Sequence, residues 1–544
     1  MNLSQAKPAS KQLNLHKLGD ADGPQSHWLP DTAKNRFCTL FVYMHISFRF
    51  LFAAFLGLCG CASVPDHDLA QVSSSISLKN VAETALAGED FEVGQWPSDK
   101  WWESFNDPQL NELIEIALKD SPNLKQAEAK VQFAEQMAKK QRSSLFPKLD
   151  MNYDEQWQYF SKNGFVRSFY PVTPGINVPA TVNQIDLTLN FSYEFDFWGK
   201  NRKRFQAALG EMRTSAAEKA QAELVLTTFI AQTYFQLQAN LAAMSILKDR
   251  LKERSDLYEL SLSRLVWGID PDFPVLDSEK NVYLVEQLLI AMEREIAFNQ
   301  NQIKMLIGQG PDSPDLLLPL SASFDQPFAL PLDLSIDLLA RRPDLQAQIW
   351  KVESAAKEIG VAKADFYPNV NLSAFAGLES LAFNDLFKWS SHMGGLEPAL
   401  HLPIFTGGRL RANLRSKVAS YNEAVFAYND LLLHAAKDVA DQLVLLRTKF
   451  QELDIQLSTL DVAVDQYRLK QLQYEKGISN YLNVLDMEEE VLNQRLSTVN
   501  LRRDYLLAVL KVIKAFGGGY EAGAQKELAG LTPINHSDDQ AVRS

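Results

Sequence analysis

Few of the 544 residues sit in patterns that could do covalent chemistry. The eight histidines are scattered, and none belongs to an H-E-x-x-H pair that would hold zinc. There is no G-x-S-x-G nucleophile elbow and no glycine loop with a lysine to cradle phosphate. His401 and His434 read most simply as wall and surface residues. A hydrolase or a nucleotide-driven pump is therefore poorly supported, and neither cofactor nor metal is expected. What does recur is a carboxylate at a fixed place. Asp277 and Asp486 each close the pattern G-I-x5-V-L-D-x-E, which runs from Gly268-Ile269 through Val275 to Glu279 and from Gly477-Ile478 through Val484 to Glu488. At such a turn an aspartate can cap the next helix by accepting its free N–H groups, the role expected of Asp277.

The other chemistry-bearing group is a thiol. Cys38, Cys59 and Cys61 are the only cysteines, too few for a disulfide framework or a cysteine metal site once the N-terminus is processed. Phe50 to Leu58, the one strongly apolar stretch, follows Arg49 and ends in Leu58-Cys59-Gly60-Cys61, the basic, apolar and small-residue order of an export signal. The Leu-x-Gly-Cys ending resembles a bacterial lipobox, which would make Cys61 the acylated (palmitate-bearing) first residue of the mature chain. Residues 1–60 then form an N-terminal extension and signal peptide, with translation starting as late as Met44, and residues 61–95 a lipid-anchored tether. No later apolar run approaches the roughly 20 residues of a spanning helix, so a membrane crossing must use strands. A formal charge of −13 argues against a nucleic-acid partner.

The elements around the two turns are duplicated. Each turn has a tyrosine ten residues before its glycine (Tyr258, Tyr467), and Pro122-Asn123-Leu124 and Pro343-Asp344-Leu345 each precede a further proline, Pro147 and Pro368, by 25 residues. Asp107-Pro108 should cap and open a helix, and Ser121-Pro122 a second one. After Pro147 the period changes to two. Leu149, Met151, Tyr153, Trp157 and Tyr159 alternate with polar residues, and Ile185 to Phe197 alternate over about 13 residues, long enough for a tilted bilayer crossing. The aromatic face suits lipid and the charged face a pore wall. Asn369–Leu378 and Met393–Phe405 offer a fainter second pair. Four strands cannot close a barrel, and an open edge cannot face lipid, so the copies must join through their strands; three copies giving about twelve strands is the smaller assembly with a lumen.

Each strand pair returns to a long helix. Arg409 to Lys476 holds neither Gly nor Pro and would span roughly 100 Å. Leu443, Leu446, Phe450, Leu453, Leu457, Leu460, Val464 and Tyr467 trace a coiled-coil seam along it. The counterpart runs from about Lys200 to Trp267, and return helices follow both turns, which are thus the tips of hairpins. The fold expected is mainly α with a transmembrane β-barrel: a first repeat over 96–308, a proline-rich connector over 309–332, a second repeat over 333–524 and a disordered tail over 525–544.

These residues resemble the TolC-like outer-membrane efflux channel family, in its lipoprotein (NodT-type) branch of outer membrane factors. The resemblance is carried by Trp101-Trp102-Glu103-Ser104-Phe105-Asn106-Asp107-Pro108, both proline pairs, Leu402-Pro403-Ile404-Phe405-Thr406-Gly407-Gly408-Arg409 and both tips, over nearly all of residues 96–520. It implies a homotrimer with a 12-stranded barrel in the outer membrane on an α-helical barrel through the periplasm. It also implies a tripartite system, in which a periplasmic adaptor (membrane fusion protein) and an inner-membrane pump of resistance-nodulation-division type supply the energy. A periplasmic coiled-coil structural lipoprotein and a channel for type I protein secretion are the alternatives.

The same resemblance implies that the helix after the second tip lines the periplasmic aperture. Asp486 would then set a ring of carboxylates and Leu482, one turn earlier, an apolar ring, with Tyr474 completing the lock; a cap remains the other reading of Asp486. Positions that carry an ion pair in some members hold Ser479, Pro274 and Asn483 here, which removes that link. Gly268, Ile269, Val275, Gly477, Ile478 and Val484 are the expected adaptor-contact tips.

Overall fold

The computed structural model describes residues 64–65, 67–73, 100–161, 163–164, 180–314, 318–321, 324 and 342–520. Cys61, the export signal, most of the tether and connector, and the tail lie outside these residues. The described residues belong to one compact unit that begins at Val64.

A short 3-10 turn, Trp101–Phe105, leads into α1 (Pro108–Asp120) and α2 (Pro122–Ser143). As expected, Asp107 caps α1: its Oδ1 accepts from the N–H groups of Gln109 and Leu110, while Pro108 occupies the first helical position, where no donor is missed. The other oxygen of Asp107 accepts from the Tyr234 hydroxyl at 2.8 Å, fixing α1 to the long helix behind it. Strands β1 (Lys148–Tyr159) and β2 (Thr181–Phe195) follow, then α3 (Lys200–Val266) and its return helix α4 (Asp272–Leu306). The second half repeats the order with α5 (Pro343–Ala364), β3 (Asn369–Ser380), β4 (His392–His401), α6 (Arg409–Glu475) and α7 (Leu482–Ala515).

The four strands make one antiparallel sheet in the order β1-β2-β3-β4. Direct partners share a face, so the register assigns the two sides. One carries Leu149, Met151, Tyr153, Trp157, Leu187, Leu189, Phe191, Leu372 and Leu400; the other carries Asp150, Asp154, Asp186, Glu194, Glu379 and Glu397. Glu155 breaks the apolar face, held there by the Tyr153 hydroxyl and the Asn183 amide. Among the described residues no long helix packs broadly on either face, and Met151, Trp157 and Leu396 are exposed, which argues against the sheet as the lid of a soluble core. The fourth strand is shorter than the alternation suggested. It stops at His401, paired with Asn369, because β3 begins there after Pro368 and offers no further partner to Leu402, Ile404 or Phe405.

The largest apolar cluster lies midway along the helices, where Trp101, Phe105, Leu110 and Ile114 meet Ile230, Tyr234 and Phe235 of α3, Leu443 and Leu446 of α6, and Leu506 and Val509 of α7. The seam of α6 departs from a strict heptad toward the tip. Leu457 and Val464 are exposed, while Gln456 bonds to Gln494 and Ala463 is buried in their place. A straight helix turns about 20° past each heptad, so the face that meets α7 moves back by one residue. Among the described residues no helix is long and apolar enough to cross a membrane.

Candidate functional site

The two tips share a backbone and differ in side chains. Gly268 (φ 67°) and Gly477 (φ 72°) end the long helices in the left-handed conformation that glycine adopts without strain. In both, the next N–H reaches back to close the helix: Ile269 to the Arg264 carbonyl and Ile478 to the Gln473 carbonyl, each at 2.8 Å. The first tip is then clamped by a charge pair, Arg264 Nε to Asp270 Oδ2 at 2.5 Å and Nη2 to Oδ1 at 3.0 Å. That hydrogen-bonded pair holds the Asp270 carboxyl below its ordinary range. The second tip has no such pair. Asn480 Oδ1 accepts from the Asn483 N–H at 3.0 Å, Asn483 Nδ2 donates to Ser479 Oγ, and the rings of Tyr474 and Tyr481 lie 5.3 Å apart.

The expected site residues separate into exposed and buried sets. Gly268, Ile269, Gly477 and Ile478 stand in solvent at the tips, with Ile269 and Ile478 well over half exposed. Val275 and Val484 do not. Each is buried, so neither offers surface to a partner. Neither repeated aspartate is a cap, either. Asp277 lies more than a turn inside α4, where it accepts from Lys280 and Asn281, and Lys280 lowers its pKa. Asp486 is likewise inside α7, exposed, with no hydrogen bond or ion pair among the described residues. The side-chain acceptor at the start of α7 is Asn480, whose Oδ1 takes the N–H of Asn483. Leu482, four residues earlier, is half-buried on the first turn of the same helix, and Tyr474 is exposed at the end of α6. Tyr474, Leu482 and Asp486 thus stand within one tip.

Sequence reasoning missed a charged cluster behind that tip. Arg254 on α3 reaches Glu489 on α7, and Arg250 Nη2 meets the same carboxylate oxygen at 3.0 Å. Arg254 also lies 3.4 Å from Glu253, whose side chain is only 2% exposed. Burial pushes the Glu253 carboxyl up to about 7; Arg254 and Arg250 oppose the shift, while Glu488 and Asp486 add to it. The cluster joins the first repeat to the second. Its signal in the sequence was two arginines at positions where the α3 seam, after Ala243 and Leu247, called for apolar residues.

A sequence profile of the family "Outer membrane efflux protein" matches residues 113–309 and 334–518. The chain is similar to the multidrug resistance outer membrane protein MdtP of Escherichia coli K12, at 30% identity over 493 residues, 87% of this chain and 97% of that one. It is also similar to the crystal structure of the outer membrane protein VceC of Vibrio cholerae, at 33% identity and a TM-score of 0.67, covering 78% of this chain and all of the other. The CmeC outer membrane channel of Campylobacter jejuni shares the fold, with a TM-score of 0.73 at 22% identity over 86% of this chain and 98% of that one.

Proposed function

The chain belongs to the outer membrane efflux protein family, and on that premise we propose that it is a passive conduit whose shut state is held at the second tip and by the charged cluster behind it. It is an outer-membrane channel of an efflux system, spanning the membrane with strands, extending into the periplasm on helices, and working with an adaptor and an inner-membrane pump. The observation that carries the conduit is the sheet: unpaired edges at β1 and β4 among the described residues, one apolar face and one acidic face. Three copies joined β1 to β4 turn the apolar faces to lipid and the acidic ones to a water-filled lumen, which leaves no edge in the membrane.

In the shut state Leu482 supplies an apolar constriction, Asp486 a ring of negative charge and Tyr474 a lateral contact through Tyr481. The Arg250 and Arg254 pairing with Glu489 holds the second hairpin against the first, in place of a charge pair at the second tip. Ile269 and Ile478, beside glycines that allow close backbone approach, receive the adaptor. The pump is of resistance-nodulation-division type, the cargo small toxic molecules, and an acyl chain on Cys61 tethers each copy to the membrane.

Disulfide trapping between copies tests the conduit. Asp154→Cys in β1 is combined in turn with Gly395→Cys, Glu397→Cys or Ala399→Cys in β4, all on the acidic face. One combination should give a covalent trimer on a non-reducing gel, and failure of all three to cross-link copies in intact membranes would refute strand-to-strand closure.

A further inference from the structure

Where the sheet meets the helices, three cations are left without partners. Lys203 on the first turn of α3 lies across Gly360 of α5 so closely that a Cβ at 360 would stand 2.6 Å from its Cδ and 3.2 Å from its Cε. A larger residue at 360 would make the Lys203 side chain move from this position. Partial burial and repulsion from Lys363, Lys357 and Arg202 lower the pKa of its ammonium group, and the Asp196 carboxylate only partly offsets them. The nearby acids are already engaged: Asp196 with Arg202, Asp365 with Lys200, Glu358 with Lys417 and Glu218 with Lys351. Lys203, Lys357 and Lys363 have no hydrogen bond or ion pair among the described residues. Half-buried like charges gathered on two helices are unfavourable unless an anion joins them.

Their level indicates which anion. Lys203 is three residues below the start of α3, Lys363 one from the end of α5 and Lys357 seven from it, which spreads them over roughly 2–10 Å beneath the sheet at 1.5 Å per residue. The polar zone of a bilayer adds roughly 5–8 Å on each side of the hydrocarbon. At the helix end of the sheet stand exposed apolar side chains: Phe197, which stacks on Phe195, and Ile404 and Phe405, both about nine-tenths exposed. Arg202 ties the two layers together, since its Nη2 donates to the carbonyl of Asp196, between Phe195 and Phe197.

We infer that this neck between α3 and α5 is a binding site for the phosphate of an anionic glycerophospholipid in the leaflet on the helical side. Lys203, Lys357 and Lys363 hold the phosphate while Phe197, Ile404 and Phe405 lie along the acyl chains. The assignment rests on the sheet being the membrane-spanning part of the chain. It places Gly360 as the residue that shapes the site and Lys203 as its central ligand.

The test uses the full chain, purified in mild detergent after reconstitution in vesicles of phosphatidylethanolamine with or without one-fifth phosphatidylglycerol. Native mass spectrometry counts the lipids retained per assembly. Wild type should retain phosphatidylglycerol in preference to phosphatidylethanolamine. Each of Lys203→Gln, Lys357→Gln and Lys363→Gln should weaken that preference about fivefold, the factor expected for one basic residue at an anionic surface. Lys351→Gln and Lys417→Gln, whose cations are already paired, should leave it unchanged. Equal retention by wild type and by the Lys203→Gln protein overturns the inference, as does displacement of the lipid by millimolar inorganic phosphate. Channel conductance in the same vesicles separates this outcome from failure of the conduit: a conducting protein without lipid preference sinks the neck site alone.

Discussion

Arg254 on α3 and Glu489 on α7 form an ion pair across the two halves of a duplicated chain, 235 residues apart in sequence. It sits deeper than the tips, where the second turn is closed by Asn480 and Asn483 and carries no charge pair of its own. The ion pairs of Arg250 and Arg254 with Glu489 therefore lie behind the second tip rather than in it.

Removing one partner of that hold should loosen it. Arg254 and Glu489 are 12% and 26% exposed, so Glu489→Ala takes the partner from the mostly buried Arg250 and leaves Arg254 with Glu253 alone, at a cost of about 2 kcal/mol after allowing for solvent. Cells carrying Glu489→Ala should become several-fold more sensitive to a vancomycin-sized antibiotic, which enters through a leaking channel. Glu489→Gln, which keeps a hydrogen-bond acceptor, should lie between wild type and Glu489→Ala. Wild-type susceptibility for both variants would show that the pair does not restrain the gate.

The buried Glu253 makes the same region sensitive to pH. Its native carboxyl titrates at about 7 against an ordinary 4.5, so between these values the folded chain binds a proton the unfolded chain has lost. Its contribution to stability is complete below about pH 4.5 and is lost as pH rises through about 7, up to about 3 kcal/mol per protomer. Glu253→Gln should flatten the fall in thermal unfolding temperature between pH 5 and pH 8. An unchanged slope in that variant would locate the titration elsewhere.

Asp486 should govern ion preference with little effect on stability, since it neither caps α7 nor forms an ion pair among the described residues. Asp486→Asn should lower the ratio of potassium to chloride permeability while leaving the unfolding temperature within a degree of wild type. A large loss of stability would return it to a structural role.

Glycine substitutions should sort by surroundings. At Gly210 a Cβ would lie 2.9 Å from the Ser354 Cβ and 3.2 Å from its Cα, so Gly210→Ala should wedge α3 from α5 and cost about 1–3 kcal/mol. Gly268→Ala and Gly477→Ala meet nothing within 4 Å and lose only the left-handed preference, about 1 kcal/mol, confined to the tip. Differential scanning calorimetry of the three variants decides it, and tip variants as destabilised as Gly210→Ala would contradict the assignment.

Much of this architecture was legible because it is periodic. Alternation at Leu149 to Tyr159 and Ile185 to Phe197 marked the strands with an error of a few residues, β2 starting four residues earlier and ending two earlier, and the run without Gly or Pro from Arg409 gave α6 to within one residue. The failures came where the answer depends on a second element. Val275 and Val484 looked like tip surface because they sit in the repeated pattern, but the return helix turns both inward. Leu457 and Val464 kept the heptad in sequence while the straight helix rotated away from it. Asp277 and Asp486 matched a capping residue in type, yet the helices start four or five residues before them. The cluster of Arg250, Glu253, Arg254 and Glu489 joins distant segments, and only its intrusion into an apolar seam hinted at it.

The most direct test of a gated conduit is single-channel recording of the purified full chain in a planar bilayer, wild type beside Leu482→Ala combined with Glu489→Ala. The account predicts that wild type inserts as a small, cation-preferring and mostly shut pore, and that the double variant conducts several-fold more with the same ion preference. Identical conductance in the two proteins, or a wild type that inserts no pore at all, would contradict it.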